Sequence, residues 1–186
     1  RRAVLGMGLA GLLGVTVGGA TASAVTRALS DVSSGFDPKD TVPFYGEHQA
    51  GIETPLQAYS TLVAFDMRAD QDRDAVARLM RLWTADAARL TQGQPALADA
   101  TPVLAESPAR LTVTIGLGLG AVRQAGVENR WPHQPLPAFA IDALRPEWSD
   151  GDIVLQVGGN DAVSVAHAVR ELAKGAAHFT TMRWTQ

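Results

Sequence analysis

The chain has 186 residues, 46% of them hydrophobic and 19% charged, a balance that suits one well-buried domain and leaves little length for a second. Its formal net charge of −3 lacks the basic footprint that nucleic-acid binding needs. It contains no cysteine, which excludes disulfides, thiolate metal sites and a cysteine nucleophile.

Arg1-Arg2 precedes a charge-free, Ala- and Gly-rich run over 3–26. This has the form of an export signal, with Ala22-Ser23-Ala24 supplying small residues for cleavage after about Ala24. Arg1-Arg2-Ala3-Val4-Leu5 resembles the twin-arginine type, an address read by a receptor. The alternative is a transmembrane helix, which six glycines between Gly6 and Gly19 would weaken. Residues 25–41 include the polar Ser30–Gly35 segment and predict a flexible start to the mature chain. The first residue is not Met and Met182–Gln186 reads as strand, so a fragment of a longer protein is expected.

Phe44 to Pro55 is punctuated by Gly46, Gly51 and Pro55 around the pair His48-Gln49, which predicts a structured loop. Such a loop entering a strand is a place where a ligand pocket forms. Thr61 to Met67 is β-branched and apolar and predicts that strand. From Asp70 to Thr91, Val76, Leu79, Met80, Trp83, Ala87 and Leu90 recur as one apolar stripe and predict a helix. Asp72 and Asp74 suit its first turn, and Gly93 and Pro95 end it. Trp83 reads as a core anchor rather than a stacking platform.

Arg110 to Leu117 alternates, with Leu111, Val113, Ile115 and Leu117 on one face, and predicts a half-buried strand. A short helical piece, Ala121 to Ala125, follows. Gly116-x-Gly118-x-x-Ala121 mimics a dinucleotide-binding loop, but a Pro-rich stretch, Trp131 to Pro137, stands where a second parallel strand should be. A tight strand-to-helix connection is the preferred reading. Asp150-Gly151 reads as a turn into a second alternating strand, Asp152 to Val157. Asn160 or Asp161 then caps a helix whose apolar face is Ala162, Val165, Ala166, Val169, Leu172 and Ala173, with Gly175 at its C-terminal turn. His178 to Thr185 returns to strand.

The order β, α, β, long loop, β, α, β with single-striped helices predicts an α+β, ferredoxin-like fold. It has an antiparallel sheet, helices on one face, and Thr61–Met67 and Asp152–Val157 as the central strands. His48 either lines a pocket or hydrogen-bonds within its own loop. His133, His167 and His178 show no metal spacing. His167 flanks the apolar face of its helix, where a solvated or core-edge position is expected. No Ser-His-Asp set or carboxylate pair can be assembled from sequence alone.

Several stretches carry a resemblance. They are Phe44-x-Gly46-x-His48-Gln49-x-Gly51-Ile52 with Thr54-Pro55, the strand end Ala64-Phe65-Asp66, Leu136-Pro137-x-Phe139 with Asp142 and Leu144, Gly151-Asp152-Ile153-x-Leu155-Gln156, and Asn160-Asp161 before a helix. Together they resemble the first half of dye-decolourising (DyP-type) haem peroxidases, in particular the exported deferrochelatase/peroxidase branch. The resemblance covers roughly residues 42–186. It implies one of two ferredoxin-like halves, with haem b held mainly by the other. It also implies hydrogen peroxide and a dye, phenolic or metal electron donor as reactants, and the C-terminal half of the same protein as partner.

The family's catalytic aspartate sits in Gly-x-x-Asp-Gly, followed later by the haem-ligating His and a distal Arg. None of these is present, since Glu147-Trp148-Ser149-Asp150-Gly151 has Glu in place of the first Gly. No residue is therefore assigned a catalytic, cofactor-binding or metal-binding role, and haem ligation by His48 is not expected. The expectation is an exported peroxidase, periplasmic or extracellular, of which this half alone is inactive. The alternative is a non-enzymatic ferredoxin-like module that self-associates, as a homo-oligomer, through exposed sheet.

Overall fold

The structure, a computed structural model, describes residues 37–127 and 136–186. The expected export signal, most of the expected flexible segment, and His133 lie outside the described residues. Four strands form one antiparallel sheet: β1 (Tyr59–Met67), β2 (Thr112–Leu117), β3 (Ile153–Gly159) and β4 (Thr180–Thr185), in the order β2-β3-β1-β4. The helices are α1 (Arg73–Leu90), the short α2 (Leu119–Gln124) and α3 (Ala162–Ala176). This is the expected ferredoxin-like α+β fold, with β1 and β3 central.

Register sorts the side chains into two faces. The row Leu117, Ile153, Phe65 and Met182 crosses all four strands, as does Ile115, Leu155, Val63 and Thr185. The apolar members of these rows meet α1 and α3 in a single core with Val76, Leu79, Trp83, Leu90, Val165, Ala168 and Leu172. Each large aliphatic buried there contributes about 1.5–3 kcal/mol from water exclusion. Trp83 is fully buried against Phe65, ring centroids 5.6 Å apart, and its indole N–H donates to the Leu172 carbonyl at 2.8 Å. An aromatic of this size needs such a partner for its one polar atom.

Asp72 proves to be the N-cap of α1 rather than a first-turn residue, its carboxylate accepting from the Ala75 amide at 2.8 Å. Of the two candidate caps of α3, Asp161 does the capping, accepting from the Ser164 amide at 2.8 Å. Asn160 instead accepts from the Ala58 amide.

The expected face of α3 is turned. Ala162 and Ala166 are exposed, while Ser164, His167 and Glu171 are buried beside Val165, Ala168 and Leu172. The cause is the loop 96–107, which covers that flank and supplies polar partners. Gly175 lies in the last turn of α3, as expected, one residue before its end. A Cβ there would sit 3.2 Å from Leu82 of α1, so the residue permits close helix–helix approach. The described end of the N-terminal segment is pinned, since the Pro38 and Asp40 carbonyls accept from Ala109 and Arg110 at 3.0 and 2.7 Å.

Candidate functional site

The loop 44–58 lies along the edge of the sheet at β2. An edge strand carries unpaired backbone groups that need partners. Gln49 supplies them with one side chain: its Nε2 donates to the Ile115 carbonyl at 3.1 Å and its Oε1 accepts from the Ile115 amide at 2.9 Å. Thr114 Oγ1 donates to the Ala50 carbonyl at 2.7 Å, and Gln57 bridges the Arg110 carbonyl and the Thr112 hydroxyl. The polar residues of this loop thus stitch it to β2.

His48 sits beside them, more than half exposed, with its Nε2 3.8 Å from Glu53 Oε1. At that distance and exposure the pair contributes little. Open clefts of about 310 and 350 Å³ flank His48, walled by Phe44, Glu47, Gln49 and Thr54. His48 thus lines the clefts, and its 3.8 Å separation from Glu53 is too long for a hydrogen bond within its loop.

A second constellation was not visible in the sequence. His167, with its side chain almost fully buried, places Nε2 2.9 Å from Asp99 Oδ2 and Nδ1 3.4 Å from Arg170 Nη2. One turn later, Glu171 pairs with Arg170 at 3.1 Å and with Lys174. Arg170 also donates to Thr101 Oγ1, and Lys174 to the Ala98 carbonyl at 2.7 Å. His167 is thus at the core edge and not solvated.

Asp99, His167 and Glu171 offer donor atoms close enough together to surround an ion. The charges argue against it. Two cations already neutralise the carboxylates, and an ammonium in contact with Glu171 would repel a metal. Burial pushes the Asp99 carboxyl up, but the Thr101 amide, His167 and Lys174 outweigh it, and the net shift is downward from its ordinary 3.8. This is a charge-balanced clamp joining α3 to the loop 96–107.

The glycine-rich turn has a structural cause. The Gly118 amide donates to the Asp152 carbonyl at 2.8 Å. A Cβ on Gly116 would meet Val154, one on Gly118 the Gly151 carbonyl, and one on Gly120 the Asp152 carboxylate. Close approach of the start of β3 and of the segment before it demands these glycines, β2 and β3 run antiparallel, and the turn has no dinucleotide-binding context. Asp150 and Gly151 both take positive φ, and the Asp150 carbonyl accepts from the Trp184 indole at 3.0 Å.

The described residues do not fit haem. A porphyrin needs an apolar slot with a free axial ligand. His48 stands in an open polar loop, His167 is engaged on both nitrogens, and exposed His178 packs edge-on against Phe179.

Comparison with known proteins agrees with the fold and topology. Residues 49–186 match the family described as Dyp-type peroxidase, N-terminal. The chain is 32% identical to a dye-decolorizing peroxidase of Thermobifida fusca, over 97% of this chain and 46% of that protein. It is 34% identical to a deferrochelatase of Yersinia pestis, over 99% and 45%. A crystal structure of a DyP-type peroxidase from Cellulomonas bogoriensis superposes with a TM-score of 0.78 at 50% identity, over 81% of this chain and 42% of that one. The chain spans about half the length of the curated relatives it matches. On sequence, fold and topology alike, it belongs to the N-terminal family of DyP-type peroxidases.

Proposed function

We propose that this chain is the scaffold half of a haem peroxidase. The parent protein reduces hydrogen peroxide and oxidises a dye, phenolic or metal donor. In that protein haem b and its ligands are carried by the other half, and this half supplies a rigid sheet and, through Phe44–Ile52, one wall of an access route. The observation that carries the reading is the family membership over residues 49–186, in a chain that spans about half the length of the relatives it matches. No step of the peroxide chemistry is therefore assigned to a residue here. The protein's contribution to such chemistry is positioning and electrostatics, and a sheet buried on its helical face is suited to positioning.

Arg1-Arg2 before the charge-free run over 3–26 supports export by the twin-arginine route, with the parent then periplasmic or extracellular. Replacing Arg1-Arg2 by Lys-Lys in the expressed precursor should retain it in the cytoplasm; unchanged export would remove this part of the proposal.

The test of function uses the open reading frame that contains this chain. Its product should bind one haem and oxidise a dye only when peroxide is present. A product that purifies without haem and self-associates instead would favour the non-enzymatic module.

A further inference from the structure

Large apolar residues are exposed singly on most proteins without meaning. Residues 136–148 are different. Leu136 is 84% exposed, Ile141 92% and Leu144 76%, with Phe139 and Trp148 about half exposed. A cluster of this kind marks an interaction surface. The arm nevertheless has a defined shape. Asp142 closes a turn by accepting from the Phe139 amide at 2.8 Å, while its own amide donates to the Phe139 carbonyl at 3.0 Å. Arg145 stacks over Trp148 at 5.0 Å, and the Ser149 hydroxyl donates to the Arg145 carbonyl at 2.6 Å. The arm's end is fixed to β4, where Arg183 Nε donates to the Ser149 carbonyl at 2.8 Å. Local hydrogen bonds set the backbone, and the apolar side chains point away from the core they could have joined.

We infer that the arm 136–148 is the docking element for the companion half of the peroxidase, inserting Leu136, Ile141 and Leu144 into an apolar groove of that half. The inference rests on the functional reading above. The relatives' length argues for this occupant, since more than half of each lies outside the matched region. The arm's own charges, Asp142, Arg145 and Glu147, nearly cancel, so the contact depends on apolar burial and is insensitive to salt. A preshaped arm also loses little entropy when it docks.

The test is carbene footprinting of two polypeptides in parallel: the 186-residue chain, and the product of the longer open reading frame that contains it. Labelling of residues 136–144 that falls several-fold in the longer protein supports the inference. Equal labelling in both overturns it. Protection that grows with concentration in the 186-residue chain assigns the arm to a second copy and also overturns it. The double variant Ile141→Asp, Leu144→Asp should leave the melting temperature of the 186-residue chain within about 2 °C and lower that of the longer protein by about 5 °C or more. Equal shifts overturn the inference.

Haem content, read on the same samples, separates the two failures. Haem bound with the arm still labelled sinks the docking role alone. A protected arm in a haem-free protein sinks the peroxidase reading alone. A reading frame that adds nothing after Gln186 sinks both.

Discussion

Glu171 and its two cations should respond unequally to substitution. The Glu171 side chain is 2% exposed, while Arg170 and Lys174 are 54% and 47% exposed. Glu171→Gln removes the buried charge, and the two cations can turn into water. What is lost is a partly screened attraction, about 1–2 kcal/mol. Arg170→Met with Lys174→Met does the reverse and strands a carboxylate in the interior, at a cost of about 3–5 kcal/mol.

For a folded unit of this size each kcal/mol shifts the melting temperature by about 2–4 °C. Circular dichroism melts at pH 7 should therefore show a fall of about 2–8 °C for Glu171→Gln and about 6–20 °C for the double variant. The stranded carboxyl would also have its pKa raised, so the double variant should regain stability as the pH falls and the group protonates. Equal losses at pH 7, or a larger loss for Glu171→Gln, would refute the clamp argument.

Other outcomes follow from single contacts. Leu79→Ala empties a fully buried site on α1 and should cost about 2–5 kcal/mol in urea denaturation; a loss under 1 kcal/mol would contradict the packing described. Gly120→Ala drives a methyl into Asp152, whose carboxylate also accepts from the Met67 amide at 2.8 Å. It should destabilise by about 1–3 kcal/mol, and a neutral result would show that the turn has slack.

The Asp99 carboxyl lies below its ordinary 3.8 in the folded chain. Its stabilisation is then present above pH 3.8 and is lost as pH falls through the lower folded value. Asp99→Asn should flatten the acid limb of a melting-temperature profile below about pH 4; an unchanged limb would assign the acid sensitivity to other groups. Gln49→Ala frees the edge of β2 and should speed amide exchange at Ile115, which is bonded to that side chain; unchanged exchange would mean that another group closes the edge.

The sequence carried most of the fold because its signals were local. The α1 stripe from Val76 to Leu90 and the alternation of Leu111, Val113 and Ile115 each lie within one element, where period alone decides which side is buried. Boundaries moved by two or three residues at the starts of β1 and α1, as caps and frayed ends do. The α3 face was misjudged because His167 and Glu171 are polar, and polar residues are buried only when partners exist. Those partners include Asp99 and Thr101, far away in the chain, which no periodicity reveals. Gln49 was legible as a loop residue, but its role depends on Ile115, which only the folded register brings alongside. Gly175 was legible as a residue of the last turn of its helix; that it also lets Leu82 of the neighbouring helix come close was not.

Haem titration of the purified 186-residue chain, followed by Soret absorbance and peroxide-dependent dye oxidation, bears most directly on the proposed division of labour. The expected result is weak, unsaturated haem association and no turnover, with both appearing once the companion half is joined to the chain. A sharp one-to-one Soret transition with turnover from this chain alone would contradict it.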